Sequence, residues 1–249
     1  MEDLRIDPTI AYDVVELPSR GIHYPNNKKS VRVAYLTAAD ENILSAPNLI
    51  NSNNLVPELI KRKVLDKDIN TAELVAEDIQ AILIFLRNTA FGSEYEITLY
   101  DPKTNEPFKA QCDLSSLNFK PFDLVADNMG EYPYYLEKSK TKITFKFLTQ
   151  KQEDEIEEIK KSWNGIGYPP IKTKELEFMI KSINDNRDLM NIRRFIDVMP
   201  LTDSYEFKKY VNSNKPGLDL KQVTIAPSGE KVEYYINFGV DFFRPFFGI

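Results

Sequence analysis

The stretch ITLYDPKTNEPFKA, residues 97–110, reads as an apolar strand, a proline set among turn formers and a second alternating strand. That is the chemistry of a β-hairpin with a loop longer than two residues. The stretch VTIAPSGEKVEYYI, residues 223–236, has the same order. Hairpins are common, so the echo bears on the fold only if the segments leading into the two copies also correspond.

They do correspond in order. Upstream of the first hairpin, SVRVAYLTAADENIL (30–44) gives a short alternating strand, then Thr37 as a helix N-cap with Asp40 and Glu41 in the first turn, where carboxylates favour the positive helix end. LVPELIKRKVL (55–65) places Leu55, Leu59, Ile60 and Val64 at helical spacing. NTAELVAEDIQAILIFLRNTAFG (70–92) predicts the longest helix, capped by Thr71, striped by Val75, Ile79, Ile82, Leu83 and Leu86, and ended by Gly92.

Upstream of the second hairpin, KITFKFLTQKQEDEIEEI (142–159) repeats strand, Leu-Thr and charged helix start, with Thr149 and Gln152 spaced as a capping box. ELEFMIKSI (175–183) stands where the second helix stood, and FIDVMPLTDSYEFKKYV (195–211) stands for the long one, with Asp203 opposite Asp78. The offset drifts from 112 residues (Leu36 to Leu148) to 125 (Asp78 to Asp203), as insertions between copies would cause.

The expectation is therefore an α+β fold of two related helical lobes, an internal duplication. Each lobe has a short leading strand and a terminal β-hairpin. Residues 1–30 form an extended N-terminal arm, 31–118 the first repeat, 119–139 a linker, and 140–249 the second repeat with an aromatic tail.

Chemistry is sparse. His23 is the single histidine, in the turn-rich LPSRGIHYPNNKK (17–29), a poor platform for catalysis or a multi-histidine metal site. Cys112 is the single cysteine, which excludes an internal disulfide framework and cysteine-rich zinc sites and fits a reducing compartment. Neither hairpin turn, YDPKTNEP nor APSGEK, holds a cysteine, so no metal or other cofactor is expected. No glycine loop of phosphate-binding pattern occurs.

The acid-rich run QEDEIEEIKK (152–161) reads as a solvated helix face, and Glu41 and Glu77 as ordinary helix acids. An enzyme is not expected. With 32 basic against 38 acidic residues the net charge is −6, which disfavours nucleic acid and anionic membranes as partners. No run approaches the roughly 20 apolar residues that span a bilayer, and the N-terminal segment has no apolar core of a secretory signal.

What remains are surfaces. The arm offers Arg20, His23 and Tyr24; IRRFID (192–197) offers Arg193 and Arg194; the tail NFGVDFFRPFFGI (237–249) offers Phe242, Phe243, Phe246 and Phe247. So many rings close together must pack, either on their own lobe, as suits Phe238 and Val240, or into a partner, as suits Phe246 and Phe247 beyond Pro245.

In sequence order, LPSRGIHYP, LTAADENIL, EDIQAILIFLRNTAFGSEY, the first hairpin with DLSSL, ITFKFLT, PGLDL and the Phe-rich end resemble the base-plate hub proteins of T4-like contractile-tailed bacteriophages. The first lobe also resembles phage tail-assembly chaperones. The resemblance implies a structural subunit of a base plate or tail hub, or else a transient assembly factor absent from the mature virion. It implies other base-plate, hub or tail proteins as partners, with self-association inside the assembly. It also implies a place in the virion tail after assembly in the host cytoplasm.

Overall fold

Residues Tyr12–Glu16 and Ser30–Ala34 form an antiparallel pair, β1 and β2, with Val15 opposite Val31. Val31 and Val33 are buried, as the alternation predicts. Part of the expected arm is thus a strand of this hairpin: an extended segment beside a half-buried strand gains ladder hydrogen bonds that an isolated arm lacks. The computed structural model describes residues 10–22, 24–51, 54–165, 167–238 and 240–243.

After β2, Asp40 closes a turn by accepting from the Thr37 N–H (2.7 Å) and hydroxyl (2.9 Å). Three short helices follow, α1 (Glu41–Leu44), α2 (Pro47–Asn51) and α3 (Leu55–Lys63), the last burying Leu55, Leu59 and Ile60. The long helix α4 spans Ala76–Phe91. It starts later than the sequence predicts, because Thr71 opens only a 3-10 turn capped by Asn70, and Leu74 and Val75 run extended. Val75 is held in a β-bridge to Thr149. Gly92 ends α4 at φ +81°, and the buried Arg87 donates to the Gly92 and Glu94 carbonyls (2.7 and 3.2 Å).

The first predicted hairpin is β3 (Glu94–Tyr100) with β4 (Pro107–Asp113). The segment 119–139, expected as a linker, carries strand β5 (Tyr132–Leu136), which joins β6 (Thr141–Phe145) and β7 (Ile180–Ile183) in a three-stranded sheet. Its alternating aromatic residues, Tyr132 and Tyr134, suit a strand, although Pro133 suggests a turn.

Helix α5 (Gln150–Ser162) starts as predicted, with the Gln152 side chain accepting from the Thr149 N–H (3.1 Å). Helix α6 (Ile171–Met179) ends inside ELEFMIKSI, and the rest of that segment is β7, whose Ile180 lies opposite Phe145. The expected counterpart of α4 is two helices, α7 (Leu189–Val198) and α8 (Leu201–Ser213). Pro200 has no N–H and forces Met199 into extended backbone (ψ 129°), which breaks the run. The second predicted hairpin is β8 (Lys221–Ile225) with β9 (Lys231–Tyr235).

The buried side chains form two clusters. One joins Val15, Leu17, Val33, Leu59 and the stripe of α4 with Leu218, Ile236, Phe242 and Phe243 from the end of the chain. The other joins Phe122, Tyr132, Ile143 and Phe145 with Leu176, Ile192, Phe207 and Val211. The two echoing hairpins touch: the Ser228 N–H donates to Asp101 Oδ2 (2.9 Å) and Lys103 pairs with Glu230 (2.7 Å); beyond the second hairpin, Phe242 lies 5.3 Å from Tyr95 of the first, ring centre to ring centre.

Candidate protein-interaction surface

The turn between β1 and β2 is pinned to α4 by one carboxylate. Asp78, the third residue of the helix, accepts from the Ser19 N–H at Oδ1 (2.8 Å) and from the Ser19 and Tyr24 hydroxyls at Oδ2 (2.6 Å each). Tyr24 Oη in turn accepts from the Val75 N–H (2.9 Å). Burial pushes the Asp78 carboxyl up to about 6 despite these donors, and burial together with the Asp78 charge drives the Tyr24 phenol far above its ordinary value. Asp203, third residue of α8, accepts from the Lys138 and Ser139 N–H groups (2.9 and 2.8 Å) in the turn between β5 and β6. Burial raises its carboxyl, but those N–H donors hold it below the usual range. Each half therefore ties its hairpin turn to its later helix through an aspartate at the same helix position.

This geometry corrects three of the expected contact residues and qualifies others. Tyr24 is buried and fully engaged inside the molecule, so it is an anchor of the arm instead of a contact. Phe242 and Phe243 are buried in the first cluster, because the last hairpin carries the tail back to the first half. His23, Phe246 and Phe247 lie outside the described residues. Arg20 is exposed, as are Arg193, which pairs with Glu177 (2.5 Å), and Arg194, which has no ion pair among the described residues.

Next to these arginines is a feature the sequence reading missed. Leu189, Met190 and Val198 on α7 and Leu201 and Tyr205 on α8 are all exposed, Val198 and Leu201 by 76 % and 83 %. The sequence sets this segment in the place of α4, as one helix. The break at Pro200 leaves Val198 and Leu201 exposed on its two sides, and the proline in VMPLT is the signal for it.

The two carboxylates and the thiol singled out in the sequence have separate surroundings. Glu77 is buried and paired with Lys215 (3.2 Å), and Glu41 is exposed. Burial pushes the Cys112 thiol up, away from reactivity. Among the described residues no group of three or more His, Cys, Asp or Glu could hold a metal ion, and no helix is long and apolar enough to cross a membrane.

A family model described as T4 bacteriophage base plate protein matches residues 18–241, from the turn after β1 to the tail. The chain belongs to that family. No curated protein and no solved structure matches it. As a base plate protein its place is the virion tail, and its partners are other phage tail or base plate proteins.

Proposed function

We propose that this base plate protein is a structural, non-enzymatic subunit of the base-plate hub. It acts through the α7–α8 face with Arg193 and Arg194, and through the Arg20 turn. The observation that carries this reading is the number of large apolar side chains left exposed on α7 and α8, Leu189, Met190, Val198, Leu201 and Tyr205, in a chain of this family. Apolar side chains grouped on a surface mark a contact that another protein covers. The reading includes an ancient duplication of a hairpin, helix and hairpin unit, supported by the matched aspartates Asp78 and Asp203 and by the recurrence of Leu-Thr before each helical run.

The test is a phage carrying Val198→Asp and Leu201→Asp together. Both side chains are exposed, so the purified variant should unfold within about 0.5 kcal/mol of wild type per site. Base-plate assembly should nevertheless fail. Assembly at wild-type yield removes this face from the proposal. Mass spectrometry of mature particles addresses permanence: stoichiometric presence supports the subunit role, and absence assigns the protein to transient assembly.

A further inference from the structure

A second surface carries information about the chemistry of its partner. Between β1 and the segment 119–122 runs a groove of about 290 Å³, floored by the buried Leu17 and Phe122 and flanked by the exposed Val14 and Phe119. Three cations line it: Arg20, Lys29 and Lys120, all exposed and none in an ion pair among the described residues. One acid, Glu16, lines it too, leaving a local excess of positive charge on a protein whose net charge is −6.

The backbone on one wall is open as well. Leu17 N–H donates to Lys29 O (2.8 Å) and Tyr35 N–H to Ala11 O (3.1 Å), so the odd-numbered residues of β1 bond to β2. Antiparallel alternation then turns the N–H and C=O groups of Val14 and Glu16 to the other edge, and no strand among the described residues pairs there. The far edge of β2 is already used, with Leu65 N–H donating to Arg32 O (2.9 Å).

Arg20 sits at φ +56°, in the left-handed region where a side chain is uncomfortable. Strained backbone held in place by its surroundings is a mark of functional positions. Here the surroundings are identifiable, since the neighbouring Ser19 is fixed by Asp78.

We infer that this groove binds an extended acidic segment of a tail or base-plate partner, added as a strand to the edge of β1, with its carboxylates on Arg20, Lys29 and Lys120. Strand addition supplies backbone hydrogen bonds, and the cations and the Val14–Phe119 flanks read the side chains. The inference rests on the docking role proposed above and names the chemistry of one partner.

The probe is a fluorescein-labelled peptide alternating glutamate with valine and phenylalanine, titrated with the full-length protein and read by fluorescence anisotropy. Salt-sensitive binding is expected, with a lysine-for-glutamate peptide failing to bind. Each of Arg20→Glu, Lys29→Glu and Lys120→Glu should weaken binding by about fivefold. The triple variant should lose it while melting as wild type does. Equal binding by a triple variant that melts normally overturns the groove. So does tighter binding of a single-stranded oligonucleotide, which would make the cations a nucleic-acid contact. Binding that appears only after removal of residues 1–9 also overturns it, by making the chain's own acidic N-terminal segment the occupant. Peptide binding and the particle measurements are separate readouts, so the groove and the hub role can fail independently.

Discussion

Asp78 is surrounded by three hydrogen-bond donors, yet burial outweighs them and its carboxyl is pushed from 3.8 up to about 6, with the charge of Glu77 adding to the rise. Between those two values the folded protein holds a proton that the unfolded chain has released. This carboxyl therefore favours folding most in acid, loses that contribution as pH rises towards 6, and is level above it. The gap corresponds to about 3 kcal/mol. Chemical denaturation of wild type and Asp78→Asn from pH 4.5 to 7.5 should show wild type losing ground to the variant by about 2 kcal/mol across that interval. A constant difference would mean that the carboxyl does not titrate there. The neighbouring turn gives a second contrast. A Cβ on Gly21, at φ +73°, would lie 2.2 Å from the Lys28 carbonyl oxygen, so Gly21→Ala should cost about 3 kcal/mol or more in thermal unfolding. Arg20→Gly, which relieves a left-handed arginine, should fold within about 1 kcal/mol of wild type while binding the acidic peptide a few-fold more weakly. In the sequence Asp78 stands out only as the residue set opposite Asp203 in the proposed duplication. Its partners do not stand out, because Ser19 and Tyr24 lie 59 and 54 residues away and no local pattern encodes that distance.

Elements whose ends are decided by neighbouring side chains were read well. The Thr37–Asp40 turn, the Thr149–Gln152 helix start, the Gly92 stop and both hairpins rest on contacts within a few residues. Asp40 also exceeds its local role: it contacts the buried Lys63 and pairs with Arg62 (2.8 Å), while Lys63 donates to the Tyr35 carbonyl (2.9 Å), so one turn anchors α3 to the end of β2. Burial raises the Asp40 carboxyl, but Lys63 and Thr37 hold it below its ordinary value, so its contribution is present at neutral pH and fades as pH falls below about 4. Asp40→Asn leaves the Lys63 ammonium buried without a counter-charge. It should cost about 3 kcal/mol in urea denaturation at pH 7; a loss under about 1 kcal/mol would show that Lys63 escapes to water. Elements decided by distant pairing were misread. The turn at 71–75 looked like the start of α4, but the bridge from Val75 to Thr149 keeps it extended. ELEFMIKSI looked helical throughout, but pairing with β6 draws its second half into the sheet.

For the whole molecule, the tail shows how tertiary structure reassigns a segment. Phe242 and Phe243 complete the core of the first half, so Phe242→Ala should destabilise by about 3–5 kcal/mol. Removing residues 240–249 should lower the melting temperature for the same reason. Removing only 244–249 spares both buried rings. It should leave the melting temperature near wild type and isolate any role of Phe246 and Phe247 in partner binding, measured as co-purification with base-plate proteins. A truncation at 240 that melts normally would show that the rings contribute no core. The sequence by itself determined the α+β class, both hairpins and most helix starts, because periodicity, capping and composition are local properties. Only the tertiary structure decided that the second hairpin covers the first half, that Tyr24 and Phe242 face inward, and that the α7–α8 joint and the cationic groove face out. Burial and charge excess belong to residues brought together from across the chain, and their spacing in sequence carries no trace of that proximity.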